Sequence, residues 1–294
     1  MVNKNPSKRK AWPLARWRIW VQAGFLLAWL DPFLMRMHGI CSPVFHCYSC
    51  PLATFACPIG IMAQYSALYS ALHVIPFLAV GTLLIVGSLF GSLVCGWACP
   101  FGFLQDLVAR IPTPKLRLPG WLGLTRYAVL VGLVFMIPYY YGEDSPWFIC
   151  RVCPAGALEA AVPYSFQQSI AQHAIAWPSA NKSVILAVFL LSMLFIRRPW
   201  CTLFCPLGAI FSVCNYISVV FLRFQPDRCH DCDLCRDLCK YHGLSERRGS
   251  DLRCIRCFEC VRCQALSITT VFHPEKGAPE EGASKSKGLP IIEP

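Results

Sequence analysis

Apolar and polar positions in this chain separate into long blocks. Trp17–Met35 is apolar except for Arg18, Gln22 and Asp31-Pro32. Val74–Val94 runs 21 residues without a charge. Tyr127–Tyr141 and Val184–Ile196 are shorter and gain length from their flanks, Thr125 and Arg126 for one, Trp177 to Ser183 for the other. A helix crossing a bilayer needs about 20 apolar residues. The blocks therefore predict four spans, with Trp and Tyr at their ends as interfacial anchors. The first reads as an uncleaved span, because no small-residue cleavage site follows it. Leu207–Leu222 predicts an interfacial or partly buried helix, with a fifth span as the alternative. Gly87-x-x-x-Gly91 would let another helix approach closely; an incidental glycine pair explains it equally well.

Residues 226–273 change character. Cys229-x2-Cys232-x2-Cys235-x3-Cys239 is followed by Cys254-x2-Cys257-x2-Cys260-x2-Cys263. This is the spacing of a two-cluster bacterial ferredoxin, in which three thiolates wrap one iron–sulfur cube and the other run supplies the fourth. Cluster one would take Cys229, Cys232, Cys235 and Cys263, and cluster two Cys254, Cys257, Cys260 and Cys239. Zinc, which also takes four thiolates, is the alternative. Neither run ends in Cys-Pro, and the last gap is one residue short. The polar, Pro- and Gly-rich stretch 274–294 reads as disordered.

The apolar part carries four Cys-Pro-x-Gly units, at Cys57, Cys99, Cys153 and Cys205. Cys95-Gly-Trp-Ala-Cys99-Pro closes the second span, and Cys201-Thr-Leu-Phe-Cys205-Pro closes the fourth. The other two lie in CYSCPLATFACPIG (47–60) and CRVCPAG (150–156). The order span, outer motif, span, inner motif occurs twice. An internal duplication follows, with repeat one at about 17–110 and repeat two at about 120–222. Parallel repeats imply a pseudo-twofold axis along the membrane normal. Cys95, Cys99, Cys201 and Cys205 could converge on that axis as an inner metal or cluster site. Cys150 and Cys153, with two of Cys47, Cys50 and Cys57, could form an outer one. Disulfides such as Cys150–Cys153 or Cys47–Cys50 are the alternative for the outer set. The two sets cannot share a site across about 30 Å of hydrocarbon. Cys41 and Cys214 fit no motif and read as buried inert thiols.

Of the 294 residues, 55% are hydrophobic, 15% are charged and 19 are cysteines. Disorder and an ordinary soluble enzyme are excluded by that balance. The net charge of +11 gathers beside the apolar blocks, not on one face of a soluble domain, so it reads as topology and not as nucleic-acid binding. Residues 1–16, the loop 103–126 and Arg197-Arg198 then lie in the cytoplasm, with both termini. Loops 36–73 and 142–181 lie outside. Asp31 is an intramembrane acid or a solvated helix end; His38, His46 and His73 lie on the outer side or its rim. Without a Cys-x-x-Cys-His run, c-type haem attachment is excluded. The predicted fold is mainly α: a four-helix polytopic membrane bundle (17–222) followed by a small cytoplasmic ferredoxin-like α+β domain.

CGWACPFG, CTLFCPLG and the two ferredoxin runs resemble the NapH/NosR/MauN group of membrane-bound 4Fe-4S ferredoxins, over about residues 17–270. The outer Cys motifs are additions to the simplest pattern of that group. The resemblance implies electron transfer in a bacterial inner membrane. Electrons would pass between menaquinol, ubiquinol or a cytoplasmic donor and a periplasmic reductase, cytochrome or ferredoxin-like partner. It implies two 4Fe-4S clusters in the C-terminal domain; the membrane cysteines leave room for one or two more, and a quinone site is open. Two other readings stay open: a transmembrane thiol–disulfide relay, and a metal-handling or assembly factor for a respiratory enzyme.

Overall fold

The computed structural model describes residues 13–29, 57–72, 76–116, 118–161, 180–226, 229, 235, 239, 252–262 and 265–271. The chain is mainly helical. In order come α1 (Pro13–Trp29), α2 (Pro58–Leu72), α3 (Phe77–Phe90), α4 (Leu93–Trp97) and α5 (Pro100–Val108). Then follow α6 (Trp121–Tyr141), α7 (Ile149–Val152), α8 (Ala180–Phe195) and α9 (Pro206–Cys214). Strands β1 (Val220–Phe224) and β2 (Leu266–Thr270) close the chain as an antiparallel pair, with Leu222 opposite Ile268.

Among the described residues α6 is long and apolar enough to cross a membrane, and α3 and Asn181–Phe195 of α8 are shorter apolar helices. These helices leave large apolar side chains exposed, among them Phe77, Leu84, Ile85, Val131, Val188 and Leu191. An apolar surface of this kind suits contact with lipid. Helix α6 departs from α geometry at Leu130–Met136, a π-helical stretch that packs against α2.

The core sits where α5, α8 and α9 meet. Phe101 stacks on Phe189 at 5.3 Å, and Trp200 meets the edges of both at 6.4 and 6.2 Å. Offset and edge contacts of this kind suit the aromatic quadrupole. Helix α9 packs on α3 at Gly87, where an added Cβ would lie 2.6 Å from Cys214 Sγ. Gly91, at φ +56, makes the turn out of α3 and is covered by Asn215 Oδ1. The glycine pair thus serves a close helix approach, and Cys214 is the buried thiol that fills it.

Three expectations change. The run Leu207–Leu222 is not one helix: α9 stops at Cys214, and the chain turns into β1. β-Branched and aromatic residues at 219–224 favour an extended strand once β2 supplies the pairing partner. That strand begins at Val220, so the unit built with β2 starts ahead of residue 226. Arg18 and Gln22 do not interrupt a lipid-facing helix. Both are buried, and Arg18 Nε and Gln22 Nε2 donate to Gly96 O at 2.9 and 2.8 Å. Arg126 and Arg198, counted above among the cytoplasmic-side charges, are buried as well. Asp31, His38, His46, His73, Cys41, Cys47, Cys50, Cys232, Cys263 and the stretch 274–294 lie outside the described residues.

Candidate iron–sulfur centres

The Cys-Pro-x-Gly units are all helix starts. Proline disfavours helical geometry at the residue before it and suits the first helical position itself. Cys99 and Cys205 accordingly sit extended, at φ −74, ψ 116 and φ −70, ψ 109, and cap α5 and α9. Gly102 N–H donates to Cys99 Sγ at 3.4 Å, and Gly208 N–H donates to Cys205 Sγ at 3.3 Å. The same first helical bond, from the residue four positions on to the cysteine carbonyl, recurs at Cys57, Cys99, Cys153 and Cys205. A sulfur at a helix N-terminus receives N–H donors and the positive end of the macrodipole, which favour its thiolate.

The two inner motifs come together. Cys95, Cys99, Cys201 and Cys205 line one cavity between α4, the turn Trp200–Phe204 and α9. Gln105, 1% exposed, donates from Nε2 to Cys201 Sγ at 3.3 Å and accepts from Trp200 N–H at 3.3 Å. Behind the site, Arg198 holds Asp106 through Nε at 2.8 Å and Nη2 at 2.6 Å and donates to Cys95 O at 2.9 Å. Arg18 reaches the same Asp106 carboxylate and, through Nη1, Glu259 at 2.8 Å. The network joins α1, α5, the second inner motif and the C-terminal unit.

That cavity has a further wall. Cys254 and Ile255 line it beside the four inner cysteines. The segment bearing them is docked by specific bonds. Cys254 O accepts from Ser92 Oγ at 2.6 Å and from Asn215 Nδ2 at 3.0 Å. Trp97 Nε1 donates to Arg256 O at 3.2 Å. The fully buried Arg256, at φ 50, donates to Asn215 O at 2.8 Å, to Ser218 Oγ and to Val220 O. Gly96 is needed here, because an added Cβ would lie 2.6 Å from Ile255 O.

In the C-terminal unit, Cys254 interacts electrostatically with Cys257, Cys260 and Cys239, the set assigned to cluster two. Burial lifts the Cys254 thiol above its ordinary pKa, the Arg256 N–H opposes this, and the neighbouring thiols add to it. Burial also raises Cys257, against the pull of Arg18. Cys229 and Cys235 pack on the same small core as Cys254, around Leu222, Phe258 and Leu266. On the outer side an added Cβ at Gly60 would meet Cys150 Sγ at 3.5 Å and Cys57 Cβ at 3.8 Å, so those two cysteines are neighbours. Cys153 packs with Cys57 on the main core.

The residues fit iron–sulfur clusters. Four thiols ring a cavity, N–H donors point at three of the sulfurs, and no carboxylate among the described residues lines the space. Cys254, Cys257, Cys260 and Cys239 supply a second thiol set beside it. Gln105, Asp106, Arg126, Arg198, Arg256 and Glu259 escaped sequence reasoning. For Gln105, Asp106, Arg198, Arg256 and Glu259 the one signal is position, in or near a Cys motif; Arg126 has only its polarity beside an apolar run.

Helix-capping Cys-Pro motifs joined to a cysteine-rich sheet unit make up the candidate iron–sulfur site. The chain matches the 4Fe-4S binding domain family over residues 72–119 and 183–224, the segments that hold Cys95, Cys99, Cys201 and Cys205. It is a distant homologue of the ferredoxin-type proteins that include YccM, MauN, NosR and NirI. It is 24% identical over 227 residues to the putative electron transport protein YccM of Escherichia coli, covering 74% of this chain and 61% of that protein. With the methylamine utilization ferredoxin-type protein MauN of Methylorubrum extorquens it shares 28% identity over 192 residues, 64% of this chain and 56% of MauN. The uncharacterized protein MJ0750 of Methanocaldococcus jannaschii is 29% identical over 250 residues, 80% of this chain and 96% of the relative. The chain thus spans nearly all of one relative and about six tenths of the other two. No solved structure matches significantly.

Proposed function

We propose that this chain is a multi-pass inner-membrane electron carrier with at least three 4Fe-4S clusters. Two sit in the cytoplasmic C-terminal unit, and a third is held by Cys95, Cys99, Cys201 and Cys205. One observation carries the reading: a single cavity is lined by those four cysteines and by Cys254 of cluster two. Two centres sharing a wall exchange electrons without a mobile carrier. The domain match on both inner motifs supports the same assignment. The protein's part is to fix spacing, burial and potential, while the clusters supply one-electron chemistry.

In this reading both termini lie in the cytoplasm and the Cys57–Cys150–Cys153 set lies outside, where a periplasmic redox partner would dock. Quinol enters the reading through a groove of about 480 Å³ between α2, α3 and α6. Tyr65, Tyr69, Tyr139 and Tyr140 give it polar tips on an apolar wall, and Met62 and Phe135 complete it. The test is electron passage across a bilayer. Proteoliposomes containing menaquinone enclose ferricyanide, and dithionite is added outside. The proposal expects ferricyanide bleaching that depends on the wild-type chain and is lost in Cys99→Ser/Cys205→Ser. Ferricyanide that stays oxidised while the C-terminal clusters are reduced would contradict it.

A further inference from the structure

We propose that Arg126 is the counter-charge of the inner thiolate centre, raising its reduction potential and tying it to the Cys254 segment. The inference rests on the cluster assignment above. Arg126 is 5% exposed and lines the cavity with Cys95, Cys99, Cys201, Cys205 and Cys254. Its Nη2 donates to Leu252 O at 2.6 Å, two residues before Cys254. Its Nε is buried and has no hydrogen-bond partner. No carboxylate among the described residues pairs with it, because Asp106 is taken by Arg18 and Arg198. The ring of Tyr127, 5.2 Å from the guanidinium carbon, offers only its quadrupole.

A guanidinium keeps its charge in proteins. A buried charge needs a compensating partner, and leaving it without one is costly. The inner thiols line the same cavity as Arg126. Four thiolates around an iron–sulfur core outweigh the positive charge of the core, so the loaded site is an anion. Taking up one electron adds to that charge. A cation in the same low-dielectric space stabilises the reduced form more than the oxidised one.

Potentiometric EPR titration of the full-length, iron-loaded chain tests this. The inner-centre signal is the one missing from Cys99→Ser/Cys205→Ser. Arg126→Gln should keep its iron and sulfide, while the inner centre shifts to lower potential. The one-electron reduction constant should fall at least tenfold, about 59 mV. Arg126→Lys, which keeps the charge, should stay nearer to wild type, and the exposed Arg151→Gln should not move the signal. An unchanged potential in Arg126→Gln, or an equal shift in Arg126→Lys, overturns the proposal. Should Arg126→Gln lose iron, a loaded Arg126→Lys at near-wild-type potential supports it, and iron loss in both overturns it. Failure of the underlying assignment looks different: the wild-type chain would show only the C-terminal signals, and Cys99→Ser/Cys205→Ser would lose no iron.

Discussion

Gly96→Ala probes the joint between the inner motif and cluster two. The added methyl would sit 2.6 Å from Ile255 O, so the two backbones must separate by roughly 0.8 Å to reach ordinary contact. Neither side moves freely. Gly96 O is held by Arg18 and Gln22, and the opposite segment by Ser92, Asn215 and Trp97. Forcing one methyl into such a contact costs about 1–3 kcal/mol. At about 1.4 kcal/mol per tenfold, the fraction of molecules with the C-terminal unit released rises roughly five- to 150-fold. Limited proteolysis between β1 and β2 under native conditions measures that fraction. Electron exchange between the C-terminal and inner centres should slow in the same variant. Gly132→Ala is the control, because nothing lies within 4 Å of its added Cβ, and it should be neutral or stabilising by up to about 1 kcal/mol. Wild-type proteolysis and exchange rates in Gly96→Ala would refute the docking argument.

Gly87→Ala should destabilise the α3–α9 contact by about 1–3 kcal/mol in denaturant titration, and Cys214→Ala in the same chain should restore much of the loss by removing the 2.6 Å contact. Asp106→Asn leaves Arg18 and Arg198 without their shared carboxylate; about 3 kcal/mol of stability should disappear in thermal unfolding, with iron binding at the inner motif weakened alongside. Asn215→Ala withdraws the acceptor of Ser92 N–H and one donor to Cys254 O; about 1–3 kcal/mol should be lost, read as faster amide exchange at Ser92 and through β1.

Much of the arrangement was legible in the cysteine spacing. Cys-Pro encodes both an extended residue and a helix start, so the four units mark four turns of chain. The i, i+3, i+6 runs with a fourth ligand from the other half assign Cys239 to one cluster with Cys254, Cys257 and Cys260. Helix against strand for Leu207–Leu222 was not legible, because an apolar run carries no period and β1 depends on a partner some 46 residues away. The charges misled for a related reason. Arg18, Arg126 and Arg198 look like membrane-edge residues in one dimension. Their burial follows from long-range contacts that local patterning does not report: Arg18 with Asp106 and Glu259, Arg126 with Leu252 O, and Arg198 with Asp106 and Cys95 O. Cys254 lining the inner cavity is equally invisible from spacing, since it lies 49 residues from Cys205 and farther from the other inner cysteines.

The most direct measurement is iron and acid-labile sulfide per chain after anaerobic purification, wild type against Cys95→Ser/Cys99→Ser/Cys201→Ser/Cys205→Ser. Taking four irons per cluster, the account predicts about twelve or more in the wild type and about four fewer in the variant. About eight irons in both would leave only the C-terminal clusters and contradict the inner centre.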